Sequence, residues 1–357
     1  MKNVTVGMSG GVDSAVTASI LIEQGHQVEG LFMKNWEEDS EYCTSEEDYK
    51  DALQVCDTLN IPLRTVNFSK EYWDKVFKIF LSEYQCGRTP NPDILCNSEI
   101  KFKAFLNYAL DAGANKIATG HYVRTVGTKN DMQLLKGQDS KKDQSYFLYR
   151  LNQKQLFNTL FPIGDISKDE VRDRAKTLGF KNFDKKDSVG ICFIGQRNFK
   201  DFLQKYLPAQ PGLIITSEGE EIGQHEGLMY YTIGQRKGLG IGGGKSGLES
   251  AWYVIDKNLG DNKLIVGQGA DNKKLYQKYL TASNTHWVSG QKPRNMNLNA
   301  KIRYRAIDSP CKITSLIQDK VSVEFKDPLF AIAPGQSIVF YEDDVCLGGG
   351  VIDTSSN

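Results

Sequence analysis

Three short stretches of this 357-residue chain gather residue types that can do chemistry. The first is Gly7-Met8-Ser9-Gly10-Gly11-Val12-Asp13-Ser14. It follows the strand-like Val4-Thr5-Val6 and precedes a helical pattern of Ala15, Val16, Ala18, Ile20, Leu21 and Ile22 that stops at Gly25. A glycine-rich turn between strand and helix aims several backbone N–H groups at one point. The positive end of the helix dipole adds to them, so the turn suits a phosphate or pyrophosphate. Ser9 and Ser14 can add hydroxyl donors, and Asp13 can orient a backbone amide or a metal-bound phosphate.

The second stretch runs from Asn91 to Lys103 around Cys96. Asn97 or Ser98 is expected to cap the helix that follows, leaving Cys96 at or just before its N-terminus. The helix dipole, with Lys101 and Lys103 one to two turns on, favours thiolate there, and Pro90 and Pro92 stiffen the approach. Such a thiol suits a nucleophile, against the alternative of a buried structural cysteine. The third stretch is Asp187-Ser188-Val189-Gly190-Ile191-Cys192-Phe193-Ile194-Gly195, whose glycines suggest a loop or short strand able to move or approach closely.

The elements that must position these residues alternate strand and helix. Strands are expected at Gln27–Met33, Leu63–Phe68 and Lys116–Gly120, with helices at about 45–59, 70–84 and 98–112 between them. Repeated βαβ units imply a parallel sheet with ligands at the carboxyl ends of its strands, so Met33 and Gly120 point to the same crevice as the first loop. Helices are expected at about 152–160 and 168–179. Beyond Pro208 the texture becomes glycine-punctuated short strands at 212–216, 229–233, 251–256 and 263–266. A second strand-rich block from about Tyr276 includes 299–305, 312–317, 321–325 and 337–341. This gives an α/β domain over 1–205, a β-rich domain over 206–275 and a second over 276–357. The acidic run from Glu37 to Asp51, with eight carboxylates against one lysine, reads as a solvated loop and helix start.

Two patterns are decoys. Gly238-Leu239-Gly240-Ile241-Gly242-Gly243 satisfies Gly-x-Gly-x-x-Gly, and Gly244-Lys245-Ser246 imitates the end of a Walker motif. A strand, not a helix, follows at Trp252-Tyr253-Val254-Ile255, so a loop is the better reading. Composition bounds the rest: 40% hydrophobic and 25% charged residues fit a globular chain of two or three domains. No apolar run of about 18 residues and no signal-peptide pattern occur, so a soluble, cytoplasmic protein without membrane contact is expected. Formal net charge is zero, which confines any nucleic-acid surface to a local patch. The seven cysteines are irregularly spaced without a Cys-x-x-Cys pair, against a disulfide framework, zinc or an iron–sulfur cluster.

The octet Gly7–Ser14 resembles the Ser-Gly-Gly-x-Asp-Ser loop of the PP-loop ATP pyrophosphatases, which adenylate a carbonyl and release pyrophosphate. Joined to Asn91–Lys103, Asp143-Gln144-Ser145-Tyr146-Phe147-Leu148, Gly190–Gly195 and the Ala333-Pro334-Gly335-Gln336 turn, it makes the whole chain resemble the tRNA-specific 2-thiouridylases. That resemblance implies a doubly wound PP-loop domain (adenine nucleotide alpha hydrolase-like) followed by two small β-rich domains, the last a β-barrel. It implies ATP, with Mg²⁺, at Gly7, Met8, Ser9, Gly10, Gly11, Val12, Asp13, Ser14, Met33 and Gly120. It also implies a persulfide on Cys192, supplied by a sulfur-carrier protein or cysteine desulfurase, with Cys96 as partner thiol and a transient Cys96–Cys192 disulfide. Asp93 would serve acid–base work, Asn91, Pro92 and Asp93 the target base, and His121, Asp143, Gln144, Ser145, Tyr304, Arg305 and Gln336 the tRNA. No resident metal and a monomer are expected. Cys43, Cys56, Cys86, Cys311 and Cys346 have no part in the pattern.

Between Tyr276 and Pro310 the chain carries Lys278, Lys292, Arg294, Lys301, Arg303 and Arg305 against Asp308, with Trp287 and Tyr304 interleaved. This strip suits phosphate contact and base stacking, against a plain solvated strand face. Other readings stay open from the residues alone. They are an ATP-dependent ligase or amidotransferase with a small carbonyl substrate, a cluster-dependent thiolase, and a non-catalytic RNA-binding protein.

Overall fold

The computed structural model describes residues 1–36, 45–185, 199–242 and 250–357. Cys43 and Cys192, with all of 187–195, lie outside the described residues, as does the Walker-like Gly244-Lys245-Ser246.

The first domain is built on strands β1 (Asn3–Met8), β2 (Gln27–Lys34), β3 (Leu63–Asn67), β4 (Lys116–Ala118), β5 (Val123–Thr128), β6 (Asp131–Lys136) and β7 (Thr159–Leu160). Five of them form a sheet in the order β3-β2-β1-β4-β7, every pairing parallel. Parallel strands need helical crossovers, and those crossovers cover both faces of the sheet. On one face Val12–Glu23, Ser45–Leu59 and Lys168–Thr177 bury Val16, Val55 and Val171 against Val4 and Val6. On the other, helices spanning 69–85 and 92–111 bury Phe77, Phe80, Ile100 and Phe105 against Leu31 and Ile117. Covered on both sides, β1 is buried without alternation from Val4 to Met8, and its one polar side chain in that run, Thr5, donates to Glu29 at 2.9 Å. The strand order reverses between β1 and β4, which opens a crevice outside their carboxyl ends.

The second domain is a four-stranded sheet of β8 (Gly212–Thr216), β9 (Glu221–His225), β10 (Trp252–Asn258) and β11 (Lys263–Gln268), in the order β10-β11-β8-β9. Among the described residues, the glycine-rich 238–242 is not helical and the next element is the strand at Trp252. The expected strand at 229–233 is instead a 3₁₀ turn, Leu228–Tyr230.

The third domain closes on itself. Strands β12 (Tyr276–Trp287), β13 (Asn297–Lys301), β14 (Ser309–Ile317), β15 (Lys320–Phe330), β16 (Ser337–Glu342) and β17 (Val345–Ser356) run β12-β15-β14-β13-β16-β17, and β17 pairs back onto β12. Closure removes exposed sheet edges. Leu280, Trp287, Phe325, Phe340 and Ile352 fill the interior. The β5–β6 hairpin of the first domain joins this barrel, Leu134 and Leu135 pairing with Cys346 and Val345. That hairpin is not legible in the sequence reading, which leaves 121–151 without a strand.

Candidate active site

The Ser9–Ser14 turn sits at the reversal point between β1 and β4. Gly11 is the N-cap residue of the Val12–Glu23 helix, and no side chain caps it. The first N–H groups of a helix have no intrahelical acceptor, so an uncapped start leaves them for an anion. The serines brace the turn: the Ser9 N–H donates to Ser14 Oγ at 3.2 Å, and Ser14 Oγ donates to the Gly11 carbonyl at 3.0 Å. Gly10 has φ +74°, and a Cβ there would stand 2.4 Å from the Asp48 carbonyl oxygen, so only glycine fits. The Asn182 amide donates to the Gly10 carbonyl at 2.9 Å from the far side. Gly120 meets the same turn; a Cβ on it would lie 2.7 Å from the Asp13 carbonyl carbon and 2.8 Å from the Ser14 nitrogen. Met33 reaches Gly7, whose Cβ position is 3.4 Å from the Met33 methyl. Met33 and Gly120 therefore each contact the Gly7–Ser14 stretch.

Two residues that sequence reasoning missed complete this turn. Lys168 Nζ donates to both Asp13 carboxylate oxygens at 2.8 Å, and the Tyr122 hydroxyl donates to Asp13 Oδ1 at 2.6 Å. The Lys168 side chain is 5% exposed and that of Asp13 29%. Asp13 would otherwise leave a negative charge in the first turn of the helix; the lysine neutralises it. The signal was present in Ser167-Lys168-Asp169-Glu170, a capping box that fixes Lys168 as the first residue of its helix. Nothing in the sequence says that this helix start faces a turn 155 residues earlier.

The Cys96 helix starts earlier than expected. Asn91 is its N-cap, accepting from the Asp93 N–H at 3.2 Å, and Pro92 occupies the first helical position. Pro92 is therefore a helix starter, its fixed φ suited to that place, and not part of a stiff approach. This corrects the placement of Cys96 at the N-terminus under an Asn97 or Ser98 cap. Cys96 lies in the second turn, 1% exposed, where a π-helical segment of nine residues, Cys96–Ala104, begins. Lys103 binds Glu99 at 2.8 Å, which spends its charge locally. Asn97 and Ser98 serve packing: Asn97 Nδ2 donates to the Phe147 carbonyl at 3.3 Å and Ser98 Oγ to the Leu95 carbonyl at 3.3 Å. The helix ties back to the crevice through Phe105 beside Gly7 and through Phe102, whose ring lies 5.5 Å from that of His121.

His121 is buried, with Nδ1 2.9 Å from Thr119 Oγ1. Burial, and then the charge of Lys101, hold its imidazole well below the usual histidine range, so it is neutral at pH 7. Asp143 and Ser145 are buried too. Asp143 Oδ1 accepts from the Gly137 and Ser145 N–H groups, Oδ2 accepts from Ser145 Oγ, and Lys301 of the barrel donates to it at 3.2 Å. Gln144 accepts from the Tyr122 N–H at 3.0 Å, which links this segment to the tyrosine that holds Asp13. Gln336 donates to the Thr89 carbonyl at 2.8 Å, just before Asn91. Tyr304 is half-buried, its ring 4.4 Å from Phe147, and Arg305 is exposed with its guanidinium 5.3 Å over the Tyr304 ring. The structure thus brings Gln336 and the Ser145–Leu148 helix to the start of the helix that carries Asn91–Asp93 and Cys96, while Asp143 and Gln144 are tied to Lys301 and Tyr122. Tyr304 and Arg305 form the exposed flank.

The basic strip is less continuous than its sequence suggests. Lys278 pairs with Glu324 at 2.9 Å, Lys301 is turned inward to Asp143, and Trp287 stacks on Phe340 inside the barrel. Of the remaining cysteines, Cys56, Cys311 and Cys346 are buried and Cys86 exposed. Burial pushes the Cys56 thiol up to about 11 and that of Cys311 up to about 12, so both rest as inert thiols.

Residues 2–196 match the tRNA methyl transferase HUP domain, 200–268 the tRNA methyl transferase PRC-barrel domain and 277–352 the aminomethyltransferase beta-barrel domain. The tRNA-specific 2-thiouridylase MnmA of Methylococcus capsulatus is 59% identical over 99% of this chain and 97% of its own length. The protein of the same name from Proteus mirabilis is 58% identical over 99% and 97%. A remote likeness joins the solved U34-tRNA thiolase NcsA of Methanococcus maripaludis, 18% identical over 57% of this chain and 63% of that one, TM-score 0.36. The chain belongs to the tRNA-specific 2-thiouridylase family.

Proposed function

We infer that this chain is a tRNA-uridine 2-sulfurtransferase. It consumes ATP to replace the C2 oxygen of a wobble uridine by sulfur. The observation that carries the reading is an uncapped, glycine-built helix start joined through Phe105 and Phe102 to a helix bearing a cysteine in its second turn. A uracil C2 oxygen is a poor leaving group. Adenylation turns it into AMP, and the Gly7–Ser14 turn supplies N–H donors where the departing pyrophosphate collects charge. Asp13 is held by Lys168 and Tyr122, so Mg²⁺ would be carried by the ATP phosphates, whose charge it neutralises.

The sulfur step is the finer part of the proposal. A persulfide on Cys192, delivered by a sulfur-carrier protein or cysteine desulfurase, attacks C2 through its terminal sulfur and AMP leaves. The Cys96 thiolate then attacks the Cys192 sulfur. This forms the Cys96–Cys192 disulfide and frees the 2-thio group; an external thiol must reduce the disulfide before the next turnover. Alternatively, the Cys96 sulfur attacks the Cys192 sulfur of the persulfide first, forming the Cys96–Cys192 disulfide and releasing hydrogen sulfide, which attacks C2 and expels AMP. Asp93, with Asn91 and Pro92, would meet the target base, which must leave its stack to reach Cys96. His121, Asp143, Gln144, Ser145 and Gln336 would shape the wall against which the tRNA seats, and Tyr304 and Arg305 would stack on it. The expected substrates are lysine, glutamate and glutamine tRNAs, and the expected working form is a monomer.

The test is nucleoside mass spectrometry on unmodified tRNA after incubation with ATP, Mg²⁺ and a persulfide donor, with Cys96→Ala and Cys192→Ala alongside the parent. 2-Thiouridine only when both cysteines are present supports the relay. Equal product in all three removes the relay but keeps the enzyme class. AMP formed without RNA, and no thiouridine, would sink the reading in favour of a small-molecule ligase.

A further inference from the structure

We propose that a cleft of about 350 Å³, lying behind the Cys96 helix, binds a backbone phosphate of the tRNA strand that carries the target base. The proposal rests on tRNA being the substrate. The cleft lies where the 92–111 helix, the 150–155 segment and His286 of the barrel meet. Its cations are Lys103, Arg150 and Lys154, and its one acid, Glu99, is bound to Lys103. Arg150 and Lys154 therefore bring two positive charges that no acid in the lining offsets. His286 adds none: its Nε2 donates to the Leu151 carbonyl at 3.0 Å, and burial lowers its affinity for a second proton.

The neutral groups also suit an anion. Asn152 Oδ1 already accepts from the Gln155 N–H, so its NH₂ donors are what Asn152 has left to offer the cleft. Phe102 and Leu106 supply an apolar floor, matching the face of a ribose. A donor-rich, positive cleft with a small apolar floor favours a sugar-phosphate over a cation or a hydrocarbon.

Position selects RNA as the source. Phe147, three residues before Arg150, carries the ring that Tyr304 packs against at 4.4 Å, and the same residue's carbonyl accepts from Asn97, next to Cys96. The cleft, through Arg150, and the Tyr304–Arg305 flank, through Phe147, thus adjoin one short stretch of chain beside the Cys96 helix. Phosphate contact beside an aromatic platform is how an unstacked RNA strand is held.

The experiment compares Arg150→Gln, Lys154→Gln and their combination with the conservative Arg150→Lys and Lys154→Arg in the full chain. Filter binding of tRNA from 50 to 300 mM salt is paired with steady-state thiolation kinetics. Each glutamine variant should lower the slope of log affinity against log salt by about 0.7–0.9. The double variant should raise KM for tRNA about tenfold with kcat and the KM for ATP unchanged, while the conservative variants keep the parent slope. A parent-like slope and KM in the double variant overturns the proposal. So does a raised KM for ATP, which gives the cleft to free nucleotide, or a defect confined to sulfur loading from a carrier protein. A parent that binds no tRNA overturns the underlying reading as well, and shows this before any variant is compared.

Discussion

At the residue scale, on the proposed function, Asp13 and Lys168 decide whether the Gly7–Ser14 turn can accept a phosphate. A buried pair that loses one partner costs roughly 3–5 kcal/mol, less here because Asp13 keeps 29% exposure of its side chain. Stability alone would not identify the role. One unit charge against another at about 4 Å is worth roughly 1–4 kcal/mol between water and a protein surface, so an unneutralised Asp13 should repel ATP strongly. Lys168→Met is therefore expected to weaken ATP binding at least about tenfold and leave adenosine binding unchanged. Adding Asp13→Asn to it should recover most of the ATP affinity. Titration calorimetry with both ligands checks this; equal losses for ATP and adenosine would mean that Lys168 merely supports the fold. Gly120 gives a second check on the same contact. Gly120→Ala places a Cβ 2.7 Å from the Asp13 carbonyl carbon, and should abolish ATP binding in the same assay.

Elements decide where these residues meet, and here the sequence was partly legible. The Ser45–Leu59 helix and the Gly212–Thr216 strand were readable to the residue, because apolar periodicity and flanking breakers agree there. The Cys96 helix was not, because Asn91-Pro92 and Asn97-Ser98 both offer start signals and Pro92 fits either a stiff loop or a first helical turn. The β5–β6 hairpin was invisible because its pairing with Val345 and Cys346 lies some 210 residues away in sequence, beyond any local pattern. The strand–turn–helix geometry of Gly7–Ser14 was legible because its signals are local, whereas the pairing of Asp13 with Lys168 and Tyr122 was not. A prediction belongs to the barrel turn that seats the Cys96 helix. Gly335 has φ +92°, and a Cβ on it would stand 2.8 Å from the Thr89 nitrogen; the Thr89 N–H donates to the Pro334 carbonyl at 2.9 Å. Gly335→Ala should displace Thr89 and with it the Asn91–Asp93 cap. The expected result is a loss of thiolation turnover of about tenfold or more, with ATP affinity kept. Parent-like turnover in nucleoside mass spectrometry would show that this turn does not position the helix.

At the scale of the whole molecule, three domains converge on 87–89, the residues that lead into the Cys96 helix. From the second domain Lys257 donates to the Gly87 carbonyl at 2.9 Å, and Thr232 lies 3.2 Å from Thr89 across their hydroxyls. From the barrel, the Ile352 carbonyl and Asp353 accept from Arg88 at 2.8 and 3.0 Å. A segment clamped from both sides loses its place if either neighbour loosens, so conditions that loosen a domain should reach the site. Acid is such a condition. Three of the four histidines, His121, His225 and His286, are held below their ordinary value by burial, and each belongs to a different domain. A native pKa below the unfolded one means that the unfolded chain binds the proton the native chain refuses. Stability is then full above about pH 6.5 and falls as pH drops below it. A fully buried histidine contributes a slope of up to about 1.4 kcal/mol per pH unit in that window. The surface carboxylates Glu170, Glu218 and Glu324 are lowered from 4.5, which leaves the interval from pH 6.5 to 5 chiefly to the histidines. Urea midpoints at pH 7.5, 6.5, 5.8 and 5.0 should fall steadily for the parent. They should fall less steeply for His121→Gln, whose side chain cannot take the proton. An identical pH slope for the two proteins would show that His121 is not held neutral against acid.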